Sequence, residues 1–245
     1  MKTRQRLIAL AIAAIPVVAM ADVLSFYVGG GVWNTSPEGG FRKTGDPMLV
    51  DVQDDLLWDS VPRGYVSASF EHPVPLIPNV RINIVSLDYS GNGNSSFTFD
   101  GINYSGDIDN TMTLEQADLL LYWELLDNIV SLDIGLDARA LNIDYSISDN
   151  NGDSTTDSTS QVVPMLYAMV GVSPWSGILL SAEAYYVSSA GSEVSDYSAK
   201  ISYTTDYFVG FEAGYRSENI VLDDIEDTFA DLTFKGPFLG AYVKF

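Results

Sequence analysis

The fold is decided by residues 129–143, the segment IVSLDIGLDARALNI. Its even-numbered positions from Val130 to Ala140 are apolar, whereas the odd-numbered positions from Ser131 to Arg139 are small or charged. A period of two places successive side chains on opposite faces of a β-strand. The segment therefore predicts a strand with one apolar face and one polar face that carries carboxylates and a guanidinium.

The same alternation recurs along the chain and is clearest in residues 177–186 and 207–216. Extended to the other segments, it predicts an all-β chain of about ten strands. These strands cover residues 22–34, 62–71, 79–90, 111–125, 129–145, 160–173, 177–189, 194–204, 206–217 and 229–245. Eight or twelve strands also fit the pattern, because residues 62–71 and 194–204 alternate least regularly.

The predicted connections alternate in length. Short turns are expected at residues 72–78, 126–128, 174–176 and near Thr205. Long polar loops are expected at residues 35–61, 91–110, 146–159 and 217–228. Only the turn at Ala190-Gly191 departs from this order. Tight turns on one rim and long loops on the other are typical of a transmembrane antiparallel up-and-down β-barrel. An even strand count places both termini on the short-turn rim, which is the periplasmic one in such barrels.

The N-terminus has the layout of a secretory leader. Lys2, Arg4 and Arg6 precede an apolar run over residues 7–20, and small residues flank a cleavage position between Ala21 and Asp22. Such a run is too short for a membrane helix with these flanks, so an uncleaved anchor is the less favoured alternative. We therefore predict a signal peptide over residues 1–21 and a barrel domain over residues 22–245.

Composition excludes several classes of partner and of binding site. The chain has 12 basic and 33 acidic residues and a formal charge of −21, and removal of the leader takes away three of the basic residues. Such a negative surface excludes nucleic acid as a partner. The absence of cysteine excludes disulfides and thiolate metal sites. No apolar stretch of 18 residues follows Ala21, so a membrane-spanning form must be a closed barrel, which satisfies every backbone group.

A soluble barrel would alternate as well, with its apolar set inside. Here the polar face mixes small residues with isolated charges of both signs, which favours a packed, salt-bridged lumen over a solvated exterior. The predicted lumen charge network comprises Arg81, Asp118, Glu124, Asp133, Asp137, Arg139, Glu183, Lys200, Glu212 and Arg216. Aromatic residues on the apolar faces gather at the strand ends, as in the interface girdles of membrane barrels. They are Phe26, Phe70, Trp123, Tyr203, Tyr207 and Phe245 on the turn side, and Tyr186, Tyr197 and Tyr215 on the loop side.

The last strand carries a more specific signal. Phe245, Val243, Ala241 and Leu239 share one face, and the chain ends on the aromatic residue. This resembles the C-terminal assembly signal of bacterial outer-membrane proteins. The resemblance implies an outer-membrane location and recognition by the barrel-assembly machinery during biogenesis, with outer-membrane lipid and lipopolysaccharide as surroundings.

The first strand, residues 23–33, contains Gly29, Gly30 and Gly31. It resembles that of an uncharacterised proteobacterial outer-membrane family with a Gly-Gly pair at this place. The resemblance implies no particular activity. Glycine at these positions also has a steric explanation, since it permits strong curvature or the close approach of a neighbouring side chain.

No catalytic group is expected. The one histidine, His72, lies in a predicted turn, and barrel enzymes rely on histidine as a base near neutral pH. Asp133 and Asp137 would both point inward, about 13 Å apart at ~3.3 Å per residue. They could form an acid–base pair, but with Arg139 beside them a salt-bridge network is the favoured interpretation.

The acidic loops suit hard cations. Asp149, Asp153 and Asp157 are weak candidate ligands for a loop-bound Ca²⁺ or Mg²⁺, and the EF-hand spacing is absent. A solvated acidic loop without metal is the favoured alternative, so no cofactor is predicted. Residues 51–58 suggest a short helix or lid, with Leu56, Leu57 and Trp58 docked on the rim.

A barrel of ten strands encloses little free space. Bulky side chains are expected to point inward at Tyr65, Tyr122, Phe208, Phe238 and Tyr242. A narrow or closed lumen follows. The predicted function is a non-enzymatic integral outer-membrane barrel of structural or surface-interaction role, and the alternative is a narrow pore or small-solute transporter.

Overall fold

The computed structural model describes residues 24–74, 76–225 and 227–245. The predicted leader and its cleavage position at Ala21 and Asp22 lie outside these residues. The strands are β1 (Ser25–Lys43), β2 (Val50–Asp51), β3 (Val61–Glu71), β4 (Asn79–Phe99), β5 (Ile102–Asp127), β6 (Val130–Asp149), β7 (Ser154–Trp175), β8 (Ile178–Ser189), β9 (Ser192–Thr204), β10 (Val209–Ile225) and β11 (Thr228–Lys244). Among the described residues, no helix is long and apolar enough to cross a membrane.

The long strands form a closed ring. Each pairs antiparallel with its sequence neighbour, and β11 pairs with β1 from Tyr27↔Lys244 to Lys43↔Thr228. The short β2 pairs with β1 at Gly40 and Phe41, beyond the point where β3 has ended. The prediction of an all-β, up-and-down antiparallel barrel is confirmed, and the described residues form ten long strands in the wall with the short β2 as an eleventh.

Side chains on the outer face of the wall form an apolar band. On β6 this face presents Leu132, Ile134, Leu136 and Ala138, and Leu136 is 55% exposed. Towards the long hairpins the outward residues become polar on every side of the barrel. The first polar outward positions include Asn34, Ser86, Glu115, Asn142, Ser160, Ser217 and Lys235. The wall therefore continues past the end of its apolar band, on one side only.

Most segments predicted as long loops are instead continuations of the strands. Residues 91–110 form the end of β4, a turn at Asp100-Gly101 and the start of β5. Asp100 and Gly101 have φ values of 53° and 71°, as in the two-residue turns whose twist matches paired strands. The loop predictions for 91–110, 146–159 and 217–228 were therefore wrong. They rested on polar composition, but an outward face above the apolar band has water as its neighbour and can be polar in a strand.

The fourth predicted loop, residues 35–61, is wrong only in part. Residues 35–43 belong to β1, and residues 44–60, which include β2, form a connection that we call the plug segment. Within the segment suggested as a helix, residues 52–55 form turns and residues 56–58 are irregular.

The opposite rim has short turns, and one of them corrects a predicted inward residue. Phe208 has a φ of 65° in the turn before β10, and its side chain is 59% exposed. The turn hydrogen bond from Phe208 N to Thr205 O (3.2 Å) takes this residue out of the strand alternation. The predicted inward orientation of Phe208 was wrong, whereas Tyr122 and Tyr242 are buried in the interior.

Candidate functional site in the barrel interior

The plug segment closes the hairpin-side mouth of the barrel. Val52, Leu56 and Trp58 are almost completely buried. The Trp58 indole N–H donates to Asn110 Oδ1 (2.6 Å), and the Asn110 amide donates to the Leu56 carbonyl (2.9 Å). The Trp58 ring also stacks on Tyr89, with the ring centres 5.2 Å apart. The segment is thus fixed to β4 and β5 by both packing and hydrogen bonds.

Asp46 fixes the other half of the plug segment. Its carboxylate accepts hydrogen bonds from the backbone N–H groups of Lys43 (3.1 Å), Asp100 (2.9 Å) and Gly101 (2.9 Å). These donors belong to the end of β1 and to the tight turn between β4 and β5. Asp46 therefore connects the plug segment to the tip of the neighbouring hairpin.

An apolar layer lies below the plug segment. Trp33, Leu87, Tyr89 and Phe234 are all buried in the interior, and the rings of Tyr89 and Phe234 stack with centres 5.6 Å apart. The Tyr89 hydroxyl donates to Thr35 Oγ1 (2.6 Å), so its polar end is satisfied within the layer. Side chains fill the cross-section here as they do in a soluble protein core.

A charged layer follows at mid-height and is centred on Arg139, which is 0% exposed. The guanidinium donates to both carboxylate oxygens of Asp118 (2.8 and 3.2 Å), to Asp196 (2.8 Å) and to Glu218 (2.7 Å). Arg216 donates to both oxygens of Asp196 (3.0 and 2.7 Å) and packs over the Trp33 ring. Two guanidinium groups thus hold three carboxylates that come from β5, β9 and β10.

A second set of ion pairs lies nearer the short turns. Glu183 pairs with Arg81 (3.0 Å) and with Lys200 (2.9 Å), and Lys200 also reaches Glu212 (3.5 Å). At the rim, Glu71 accepts from Lys244 (3.2 Å) and from the Tyr122 hydroxyl (2.9 Å).

These groups surround a cavity of about 300 Å³. It extends from Asp118 and Asp196 at mid-height down to Asp127, Ser131 and Lys244 at the turn end of the barrel. Below the charged layer the lumen is therefore partly open, whereas above that layer it is filled.

The predicted network residues fall into three groups. Arg139, Asp118 and Arg216 form the central layer, and Arg81, Glu183, Lys200 and Glu212 form the lower set. The remaining three, Glu124, Asp133 and Asp137, form no ion pair within the described chain.

Two members of the central layer were missed, Asp196 and Glu218. Asp196 has the same parity as Lys200, and Glu218 has the same parity as Arg216. The alternation could have found both, but Glu218 lies one residue beyond the predicted end of its strand.

The candidate metal ligands lie at one hairpin tip. Asp149 accepts from the backbone N–H groups of Asn151 (2.9 Å), Asp153 (3.1 Å) and Ser105 (3.2 Å). Desolvation raises the pKa of Asp149, but these hydrogen bonds, together with one from the Asn151 side-chain amide, outweigh it and lower the pKa below its usual value. Asp157 is 3.8 Å from Lys43 Nζ, separate from the other two. In the part of the chain that the structure describes, no three acidic or histidine side chains are grouped as metal ligands.

The terminal residues close the ring at the turn side. Phe245 and Phe26 exchange backbone hydrogen bonds of 3.0 and 2.7 Å, and their rings stack with centres 5.8 Å apart. Leu239, Ala241, Val243 and Phe245 all lie on the outer face, with exposed side chains. The four residues of the predicted assembly signal therefore share the outer face of the barrel, and their role as a signal stays a prediction.

No protein-family model matches the chain, and no curated protein sequence matches it. Among solved structures, it is similar to the outer-membrane protease OmpT of Escherichia coli, with a TM-score of 0.58 and 10% identity over 90% of this chain and 97% of that one. It is also similar to Ail, the attachment invasion locus protein of Yersinia pestis, with a TM-score of 0.39 and 11% identity over 91% of this chain and 99% of that one. A third is a mutant of the TodX monoaromatic hydrocarbon channel, with a TM-score of 0.38 and 9% identity over 91% of this chain and 90% of that one.

These neighbours are bacterial outer-membrane β-barrel proteins with different roles. At 10% identity the similarity to OmpT shows a shared fold alone. Membership of the family with the Gly-Gly pair stays a prediction.

Proposed function

We propose that the chain is a non-enzymatic integral barrel of the bacterial outer membrane, with a structural or surface-interaction role and no continuous channel. The observation that carries this proposal is the filled hairpin-side half of the lumen, where among the described residues the buried side chains of the plug segment and of the apolar layer around Trp33, Tyr89 and Phe234 occupy the cross-section. A barrel with this interior would interact with other molecules through its outer surface and its two rims.

The outer face supports the membrane location. A band of exposed apolar side chains surrounds the wall, and exposed aromatic residues mark its edges at Phe26, Tyr203 and Phe245 on the turn side and at Tyr197 and Tyr215 on the other. Such a band would be unfavourable in water and is what hydrocarbon requires. The polar extension of the wall favours an outward orientation for the hairpins and a periplasmic one for the termini.

The absence of an enzyme site is likewise a proposal. His72, the one histidine of the sequence, lies at the short-turn rim, where Nδ1 accepts from Val74 N (3.2 Å) and Nε2 lies 3.2 Å from the Pro78 carbonyl. His72 lies outside the barrel interior, and both contacts stabilise the turn in which it lies. Among the described residues of the interior, none places a nucleophile beside this histidine.

The outer surface supports lipopolysaccharide as a partner. Just above the apolar band, the outer faces of β4, β5 and β6 form a polar depression of about 330 Å³, lined by Ser90, Asn92, Asp109, Thr111, Ser146 and Ser148 among others. Hydroxyl and amide groups at this height would meet the sugar headgroups of lipopolysaccharide. Acidic neighbours would require divalent cations between protein and lipid phosphate.

A pair of arginine substitutions on β6 tests the membrane band. Leu136→Arg places a charge in the middle of the band, and Asn142→Arg places it on the same face beyond the band. We expect L136R to lower the free energy of unfolding by about 2–4 kcal/mol and N142R to change it little. Urea unfolding of protein refolded into lipid vesicles measures both. Equal effects of the two substitutions would mean that the band does not lie in hydrocarbon.

Conductance in planar bilayers tests the closed lumen. We expect no discrete current steps from the wild-type protein, because the plug segment and the apolar layer below it block ions as well as solutes. A porin added to the same membrane serves as the positive control, and a heat-induced shift in gel electrophoresis verifies that the added protein is folded. Reproducible single-channel steps would reject the closed barrel and favour the alternative, a narrow pore or small-solute transporter, for which the turn-side cavity would be the vestibule.

A further inference from the structure

Two carboxylates face each other in the turn-side cavity without a basic partner. Glu124 on β5 and Asp133 on β6 are register partners, and both line the cavity. Side chains at directly opposed positions have Cβ atoms about 4.5–5.5 Å apart, and like charges there are destabilising. The register therefore places two acidic side chains next to each other, Asp133 buried and Glu124 exposed near the turn-side rim, and a cation between them would relieve their repulsion.

Asp133 is the group that points to a ligand. It is 3% exposed, it lines the cavity, and it makes no hydrogen bond or ion pair with any residue that the structure describes. Glu124 accepts a single hydrogen bond, from the Asn79 side-chain amide (3.1 Å). A carboxylate this deeply buried is costly unless it is paired.

The basic residues around the cavity are already engaged. Arg81 and Lys200 hold Glu183 at 3.0 and 2.9 Å, and Lys244 holds Glu71 at 3.2 Å. Each of these basic groups forms its ion pair with another carboxylate, and none of them lies within ion-pair distance of Asp133 or Glu124. The cavity is also lined by aromatic rings, including Tyr27 and Tyr242, whose centres lie 4.9 Å apart. Aromatic faces attract organic cations.

A bare metal ion fits the site poorly. Within the described ranges no three potential ligands are grouped around one point. A primary ammonium carries three N–H donors and can reach two opposed carboxylates at once. The volume of about 300 Å³ lies at the lower end of the range for small-molecule pockets.

We propose that the turn-side cavity binds a small aliphatic amine, with Asp133 and Glu124 as the counter-ions of one ammonium group. The ligand enters at the turn end, where the cavity reaches the half-exposed Lys244. In the orientation proposed above, this opening faces the periplasm. The site is independent of the proposed surface-interaction role, because the apolar layer separates the cavity from the hairpins.

Calorimetric titration of the refolded full chain in detergent with 1,4-diaminobutane tests the proposal. We expect one saturable site at low ionic strength. Asp133→Asn and Glu124→Gln should each weaken binding roughly tenfold or more, because each removes a charge-assisted hydrogen bond. Asp144→Asn is the matched control, since Asp144 is an exposed carboxylate on the outer face of the same strand.

Folding of the variants is checked separately. D133N and E124Q each remove one member of a repelling pair, so the unfolding midpoint without amine should rise or stay unchanged. With saturating diamine, the wild type should gain thermal stability and D133N should gain much less. Should one variant fail to fold, the other still decides the result.

Four outcomes would overturn the proposal. They are no saturable heat with the wild type, equal affinity in D133N and the D144N control, equal binding of 1-butanol, and binding of Mg²⁺ alone with exclusion of the diamine. The 1-butanol result would indicate an apolar pocket, and the Mg²⁺ result would indicate a metal site. None of the four bears on conductance, so this proposal and the closed barrel can fail separately.

Discussion

Replacement of Arg139 by methionine should strongly destabilise the whole barrel. The guanidinium is completely buried and holds Asp118, Asp196 and Glu218 at 2.7–2.8 Å. Removal of one partner from a buried ion pair costs about 3–5 kcal/mol, because the remaining charges are left without compensation. We expect R139M to lower the urea midpoint in vesicles strongly and to reduce the yield of the heat-shifted folded form.

Two further variants, one control and one partial rescue, show whether the loss comes from the buried ion pairs. Lys235→Met removes a cation from an exposed pair with Glu38 (2.6 Å) on the outer wall and should change the midpoint little, because solvent screens this pair. Glu218→Gln added to R139M should restore part of the loss, since it removes one of the carboxylates that Arg139 had compensated. A midpoint for R139M equal to that of K235M would show that the central layer does not stabilise the fold.

The alternation of residues 129–143 was sufficient to predict β6 and the face that each of its side chains occupies. Asp133, Asp137 and Arg139 are all buried inside, and Leu136 is exposed outside. This succeeds because the side-chain period of a strand is fixed by its backbone geometry, whatever the strand packs against. The same reasoning gave the closed antiparallel barrel.

Whether a residue number is odd or even shows which face of the strand its side chain occupies, but not its position along the barrel axis. That position decides which charged side chains come into contact. Arg139 on β6 binds carboxylates on β5, β9 and β10, and the registers of the five successive strand pairs from β5–β6 to β9–β10 set those contacts. Nothing in the spacing of Asp196 relative to Lys200 indicates that Asp196 pairs with Arg139 while Lys200 pairs with Glu183. The partners in the interior therefore could not be predicted from single strands.

The strand ends could have been predicted better. Asp100-Gly101 is a strong hairpin signal, and it lies between segments that still alternate, such as Tyr104 and Ile108 inward with Asn103 and Asp107 outward. Polarity led to the loop prediction, because strands were expected to be apolar on one face throughout. That expectation holds only at the height of the band.

The plug segment shows a second limit of prediction from the sequence. Leu56, Leu57 and Trp58 predicted a docked lid, and Leu56 and Trp58 are indeed buried, but Leu57 is only half-buried and has a left-handed backbone with a φ of 60°. The partner of Trp58 is Asn110, whose burial depends on the extended β5 that the loop prediction had removed. Because the start of β5 was predicted as a loop, the contact between Asn110 and Trp58 could not be predicted either.

Truncation of that anchor, Trp58→Ala, should open the hairpin-side mouth. The ring is 3% exposed, stacks on Tyr89 and donates to Asn110 at 2.6 Å. A buried tryptophan truncated to alanine costs about 3–5 kcal/mol, through lost contacts and the cavity that remains. Asn110 Oδ1 also loses its donor in a buried position, which adds to the cost.

Much of this loss should be local, because residues 50–60 are held mainly by Trp58 and Leu56 while the wall keeps its own ladders. In hydrogen exchange, W58A should therefore lose protection in residues 50–60, where Val52 N donates to Gly39 O (3.0 Å) and Trp58 N donates to Val52 O (2.9 Å). Peptides from β6 and β7 should exchange as in the wild type. Trp175→Ala is the control, since that tryptophan is 70% exposed at the turn side. If W58A and W175A gave the same exchange in residues 50–60, the plug segment would be held by Asp46 and its backbone contacts and not by the tryptophan.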